Sequence, residues 1–208
     1  MRILVLGATG GIGLEIVRQA VDHGHSVTAF VRTPERLKPF ASRIRVVLGD
    51  SLNSVELGSA IEGHDGVLSG FGPRLPLSKT DHDLLERFAG ALTNAMLNTT
   101  VRRVVIVSTA FLFKDAVLPP AYLFGRLFFP GLVADATRME QIVAQSDLDW
   151  TFVRPPQLTD KPHTGKYRVR EGHLPPFAFR IARADVADFM IRTVENHASS
   201  RKIVGLCN

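Results

Sequence analysis

The sequence predicts an α/β fold: a doubly wound, mainly parallel sheet in a single domain covering residues 1–208. Three observations predict it. Short continuous apolar runs alternate with stretches of helical apolar spacing along the whole chain. The first run ends in a glycine-rich turn that opens a helix, a unit typical of parallel sheets. The 208 residues, 45% of them hydrophobic, carry no internal repeat or linker and suit one core.

Ile3-Leu4-Val5-Leu6 is continuous, as a strand buried on both faces should be. The turn Gly7-Ala8-Thr9-Gly10-Gly11-Ile12-Gly13 follows, and then Leu14, Ile16, Val17, Ala20 and Val21 fall near helical spacing. Glycines let the backbone approach a phosphate closely, and the helix start offers free N–H groups and a positive dipole end. Strand, glycine turn and helix together point to a nucleotide pyrophosphate, held by Gly7, Ala8, Thr9, Gly10, Gly11 and Ile12. The glycines stand at G-x-x-G-x-x-G spacing, with one extra at Gly11.

Ser26 to Val31 reads as the second strand. An NAD-preferring site places a carboxylate at its end for the ribose 2′-hydroxyl. Arg32 stands there instead, with Arg36 one helical turn on, and guanidinium groups match a 2′-phosphate. The expected cofactor is therefore NADP(H). Ile44 to Leu48 is a third strand leading into Asp50-Ser51-Leu52, where Asp50 either accepts from the adenine amino group or caps the next helix. Val67 to Ser69 is a fourth strand, and Gly70-Phe71-Gly72-Pro73-Arg74 a loop open to close approach.

Asp83 to Leu97 is an amphipathic helix with Leu84, Leu85, Phe88, Leu92 and Met96 on its apolar stripe. Arg103 to Val107 delivers Ser108-Thr109 to the carboxyl edge of the sheet, where ligands of open α/β sheets collect. These hydroxyls are candidate catalytic donors toward a nicotinamide or substrate, or else satisfy loop backbone. Met139 to Gln145 is helical, Trp150 to Val153 is a strand stopped by Pro155-Pro156, and Lys166 to Val169 is extended. A helix from Ala184 to Glu195, opened by Asp185, and a strand from Lys202 to Leu206 complete the chain.

Charge and composition narrow the class further. Lys and Arg total 25 against 20 Asp and Glu, a formal charge of +5. The arginines are dispersed without a recognition module, so attraction to anionic small molecules is the simpler reading and nucleic acid is not expected. One cysteine, Cys207, excludes an intrachain disulfide, and seven histidines show no ligand spacing, so no metal is expected. No run is long enough to span a bilayer and no signal peptide is visible, so a cytoplasmic protein is expected, with no membrane partner.

Past the fifth strand a family resemblance becomes specific. Val107-Ser108-Thr109-Ala110-Phe111-Leu112-Phe113, Arg154-Pro155-Pro156-Gln157-Leu158-Thr159-Asp160 and His163-Thr164-Gly165-Lys166-Tyr167 resemble the biliverdin-IX-beta/flavin reductase family. So do the glycine turn, Val31-Arg32, Gly49-Asp50 and Ala184-Asp185-Val186-Ala187. That family belongs to the atypical short-chain dehydrogenase/reductases, single-domain Rossmann proteins that pass hydride from NADPH to flavins or open tetrapyrroles. The resemblance implies that Gly7, Thr9, Gly10 and Ile12 hold the pyrophosphate, and Arg32 and Arg36 the 2′-phosphate. Asp50, Ser51 and Leu52 would flank adenine, and Gly72, Arg74 and Thr80 line the middle of the cofactor. Pro155 and Pro156 would border the nicotinamide, Thr109 replace a family serine beside it, and Phe111 face the substrate.

Two departures matter. Family active-site histidines appear as Gln157 and Ala136; a glutamine orients a carbonyl but cannot donate a proton as imidazolium does. Substrate-side insertions are expected at about 110–135 and 157–182. The first contains Ala121-Tyr122-Leu123-Phe124-Gly125-Arg126-Leu127-Phe128-Phe129-Pro130, readable as a lid or substrate wall, as packing, or as a subunit contact in a homo-oligomer.

The short-chain pair Tyr-x-x-x-Lys is missing, its nearest counterpart being Tyr122 with Arg126. An arginine stays protonated and relays nothing. Catalysis would then rest on juxtaposing two rings, with Thr109, Ser108 and Gln157 as the catalytic candidates. The expected function is an NADPH-dependent reductase of a planar conjugated acceptor, with Phe111, Gln157, Tyr122 and Arg126 toward the substrate. Two alternatives stay open: a redox-inactive NADP(H) sensor acting through a partner protein, and a sugar-nucleotide epimerase or dehydratase.

Overall fold

The computed structural model describes residues 1–73, 83–114 and 120–208. Its core is an eight-stranded sheet in the order β3-β2-β1-β4-β5-β6-β10-β8. The first six places are β3 (Arg45–Leu48), β2 (Ser26–Val31), β1 (Arg2–Leu6), β4 (Gly66–Ser69), β5 (Arg103–Val107) and β6 (Asp149–Arg154), all parallel. β10 (Lys202–Cys207) continues in parallel, and β8 (Arg168–Glu171) closes the edge antiparallel. The order reverses between β1 and β4, the topological switch point where a doubly wound sheet opens a crevice at its carboxyl edge.

Helices cover both faces, as continuous apolar strands require. On one side α2 (Ser54–Ile61), α3 (Leu84–Leu97) and α5 (Pro130–Ala144) bury Leu57, Phe88, Leu92 and Met139 against Leu4, Leu6 and Phe152. On the other, α1 (Gly11–Asp22) and α6 (Arg183–Glu195) bury Ile16, Val17, Met190 and Ile191 against Ile3, Val5 and Val105. Cys207, the last residue of β10, is fully buried opposite Arg168 of β8, and burial pushes its thiol pKa up.

Two predicted helix openings are corrected. Asn53, not Asp50, caps α2: its side chain accepts from the N–H groups of Val55 and Glu56, while Asp50 accepts from Leu52 N–H at 3.0 Å. Asp185 sits within the first turn of α6 but does not cap it; Ala182 occupies the cap position. The Asp185 carboxylate instead accepts from Thr164, Gly165 and Asn208, pinning the chain that precedes β8 to the C-terminal residue. The last edge strand begins at Arg168, two residues later than expected, and Met139 lies in a helix as expected, one that runs from Pro130 to Ala144.

Elements invisible in the sequence shape the carboxyl edge. β7 (Gln157–Thr159) and β9 (Arg180–Ala182) form a separate two-stranded parallel ribbon, each only three residues long. α4 (Ala121–Phe128) is inverted relative to an ordinary amphipathic helix. Its inward side is small, Ala121 and Gly125, while Leu123, Phe124, Leu127 and Phe128 stand exposed, Leu127 at 70%. Gly125 lies on Phe111 so closely that an added Cβ would fall 2.5 Å from that side chain.

α3 has an unusual start. Asp83 has φ of +57° and its side chain caps nothing. The free N–H groups of Leu85 and Glu86 are taken instead by the buried carboxylate of Asp135, on α5, each at 2.9 Å. A helix start needs such acceptors, and a carboxylate there also complements the dipole.

Candidate functional site

A groove of about 690 Å³ opens at the switch point. At one end the backbone turns sharply after β1, with Gly7 at φ +67° and Gly10 N–H donating to the Gly7 carbonyl at 2.8 Å. Gly13 packs on this turn; a Cβ there would strike the Gly7 oxygen at 2.1 Å. α1 then starts at Gly11 with no side-chain cap and no acidic residue in its first turn. Its first N–H groups need an acceptor, and the groove supplies the space for an anion.

Gly7, Thr9, Gly10, Gly11 and Ile12 line this end of the groove, whereas Ala8 is fully buried beneath it. Along the side run Phe30, Val31, Arg32, Thr33, Arg36 and Ser51. Arg36 reaches across to donate to the Thr9 carbonyl at 2.6 Å, fixing the 3-10 turn Glu35–Phe40 to the glycine turn. Arg32 is exposed, with no ion pair among the described residues. Asp50 and Leu52 stand next to the groove in sequence but do not line it.

The middle is formed by Gly70, Phe71, Gly72 and Pro73; Arg74 and Thr80 lie outside the described residues. Phe71 is held by its N–H donating to Ser69 Oγ at 3.3 Å and by stacking on Phe88 at 4.3 Å between centroids. At the far end stand Val107, Ser108 and Thr109, with Leu132 and Ala136 of α5 opposite. Ser108 Oγ is buried without a hydrogen-bond partner among the described residues. Such a hydroxyl is costly unless a ligand completes it. Thr109 Oγ1 accepts from Phe111 N–H at 3.2 Å, holding the short 3-10 turn that carries Phe111.

Phe111, Tyr122, Arg126, Pro155, Pro156 and Gln157 do not line the groove. Phe111 is half-buried and stacked on Phe129 at 5.7 Å, forming part of the scaffold under α4. Arg126 donates to the Tyr122 hydroxyl at 3.2 Å in an exposed pair. Gln157 is exposed on β7, and its neighbour Leu158 enters the groove in its place. Pro155 is buried, its carbonyl accepting from Ala110 N–H at 3.1 Å.

Sequence reasoning missed Arg183, which lines the groove beside Gly11, and the buried ion pair of Glu140 with Arg154 behind its far wall. It also found no ligand spacing among histidines, yet His23 and His25 converge on Glu195, His25 Nε2 lying 2.7 Å from the carboxylate. Burial raises the Glu195 pKa, but the bonds to the two imidazoles outweigh it and hold the carboxyl below its ordinary value. The cluster joins the C-terminal ends of α1 and α6, and none of its three residues lines the groove.

This is a dinucleotide fold with a matching crevice, and the family description NAD(P)H-binding matches residues 7–197. The chain belongs to that NAD(P)H-binding family, and its fold is that of the atypical short-chain reductases. It is 29% identical to the photosystem II assembly factor Ycf39 of Synechocystis, across 97% of this chain and 61% of that protein. An uncharacterised chloroplastic protein of Arabidopsis thaliana is also 29% identical, across 98% of this chain and 75% of that one. The anaerobilin reductase ChuY of Escherichia coli shares the fold at TM-score 0.81 and 20% identity, covering 100% of this chain and 97% of that one. Among the described residues no helix is long and apolar enough to cross a membrane.

Proposed function

We propose that this protein is an NADPH-dependent reductase whose acceptor is planar and conjugated: a flavin, a quinone or a tetrapyrrole-like molecule. One observation carries the reading. Among the described residues lining the groove, the only ionisable side chains are arginines. Among those described residues there is no carboxylate, imidazole, phenol or lysine to act as a general acid. A site so poor in acids suits an acceptor that takes its proton from water and asks the protein mainly for alignment.

Gly7, Thr9, Gly10, Gly11 and Ile12 would hold the pyrophosphate on the helix start, with Ala8 supporting them from below. Arg32 and Arg36 would hold the 2′-phosphate, Ser51 the adenosine, and Gly70, Phe71 and Gly72 the middle. Ser108 and Thr109 would orient the nicotinamide end, where NADPH supplies a hydride, while Pro155 and Pro156 stay outside the groove lining. The apolar wall of Leu132, Ala136 and Leu158 excludes water from that end.

A second reading draws on the exposed apolar side of α4: a redox-inactive NADP(H) binder that signals through a partner protein, as an assembly factor would. One assay separates the two. The loss of reduced-nicotinamide absorbance is followed with NADPH against a panel of flavins, quinones and biliverdins. Oxidation with at least one acceptor supports the reductase. Thermal stabilisation by NADPH with no oxidation anywhere on the panel would overturn it in favour of the sensor.

A further inference from the structure

The extra glycine of the turn, Gly11, has a partner. Arg183 leaves the end of β9 as the first residue of α6, and its side chain lies across Gly11. A Cβ on Gly11 would fall 2.6 Å from Arg183 Cδ and 2.7 Å from Nε, so any larger residue would displace the arginine. The guanidinium thus stands at the N-terminus of α1 and lines the groove with Gly10, Gly11 and Ile12.

That placement sets a cation beside the positive end of a helix, an arrangement favoured only when an anion lies between them. The protein provides one anion: Arg183 Nη1 donates to Asp160 Oδ1 at 2.6 Å. Asp160 follows β7 and is 91% exposed, whereas Arg183 is only 28% exposed. An ion pair with so exposed a carboxylate is weak and readily exchanged. Arg36 reaches the same turn, donating to the Thr9 carbonyl, so two guanidinium groups stand by the turn that leads into the uncapped helix start.

We propose that Arg183 is a ligand of the dinucleotide pyrophosphate and that Asp160 is an exchangeable counter-ion competing for the same guanidinium. The proposal rests on the dinucleotide reading of the groove and adds a phosphate ligand from α6, distant in sequence from the glycine turn. Arg32 sorts cofactors by their 2′-phosphate; Arg183 recognises the diphosphate common to NADPH and NADH. The ligand class for this position is therefore any dinucleotide diphosphate, irrespective of its ribose.

The test is calorimetric titration of NADPH, NADH and adenosine 2′-monophosphate, which lacks a pyrophosphate, into the wild type, Arg183→Gln and Asp160→Asn. Arg183→Gln should weaken NADPH and NADH by the same factor, about ten- to a hundredfold, and leave the monophosphate unchanged. Asp160→Asn should tighten both dinucleotides by about two- to fivefold. Unchanged dinucleotide affinity in Arg183→Gln would overturn the proposal. So would equal weakening by both substitutions, because the bridge would then serve only to tie β7 to β9. If Arg183→Gln fails to fold, Arg183→Lys replaces it: the charge is kept and the fork lost, so weaker dinucleotide binding supports the proposal and wild-type affinity overturns it. A wild type that binds neither dinucleotide would instead bring down the reading of the groove itself.

Discussion

Glu140 and Arg154 form a buried two-pronged ion pair, with Arg154 Nε donating to Glu140 Oε1 at 2.9 Å and Nη2 to Oε2. It ties the middle of α5 to the end of β6, and Arg154 also lies over the ring of Phe113 at 4.8 Å. The same helix presents Leu132 and Ala136 to the groove. The position of the apolar wall is therefore set from behind by a largely buried charge pair.

Glu140→Gln should leave a buried guanidinium without its counter-charge. Breaking such a pair costs about 3–5 kcal/mol, a loss measurable by urea unfolding. A change below about 1 kcal/mol, the range of surface pairs, would show that α5 does not depend on it.

Arg32→Ala should cost about ten- to a hundredfold in NADPH affinity and little in NADH affinity. The side chain is exposed at the groove with no ion pair among the described residues, and a charge-assisted bond is worth about 1.5–3 kcal/mol. Equal losses for both cofactors would remove the 2′-phosphate from this position.

Gly10→Val should abolish stabilisation by NADPH while the protein stays folded. Gly10 has φ −77° and ψ 172°, which valine adopts readily, and an added Cβ would sit 3.1 Å from the Gly7 oxygen, a tight but tolerable fit. Its branches would fill the space expected for phosphate. Thermal shift with and without NADPH decides; a retained shift would mean that the turn holds no phosphate.

Tyr122→Phe should keep most of the activity with a flavin acceptor, because Tyr122 lies outside the groove and, among the described residues, pairs only with exposed Arg126. Thr109→Val should lose more, since Thr109 both lines the groove and holds the Phe111 turn through its hydroxyl. Steady-state rates at saturating NADPH compare them. A drop of about 10²–10⁴ in Tyr122→Phe alone, the worth of positioned proton transfer, would restore an acid to the site.

Acid should unfold the protein through α6. Burial raises the Asp185 and Asp188 pKa values, but hydrogen bonds from Asn208, Thr164 and Gly165 to the first, and from Arg192 and Tyr167 to the second, outweigh it. Both carboxyls end below the ordinary 3.8, so their stabilisation is whole above that value and is lost as pH falls through the lower folded values. Thermal melting across about pH 6 to 2 should show a shallower acid limb in Asp188→Asn than in the wild type. Identical limbs would place the acid sensitivity elsewhere.

The strands of the parallel sheet were legible because each is a continuous apolar run, and the glycine turn because its context names its use. The ribbon of β7 and β9 was not, since three residues are too few for any periodicity to register. α4 was legible only as an apolar stretch: with its large side chains outward, its pattern gives the face but not the side it turns to the core. Cap assignments at Asp50 and Asp185 failed for a shared reason. A short acidic side chain near a helix start caps it only if it holds the cap position and no other group claims it; Asn53 takes the position at α2, and Asp185, inside α6, is claimed by Asn208. Arg183 was unreadable because its partner Gly11 lies 172 residues away and a glycine carries no complementary signal.

Cys207 gives the chain a clock. As its single cysteine, fully buried at the end of β10 and with its thiol pKa raised, it is inert to a labelling reagent in the closed sheet. Modification therefore requires this margin to open, so the rate of labelling reports the local breathing of the β10–β8 edge without any engineered probe.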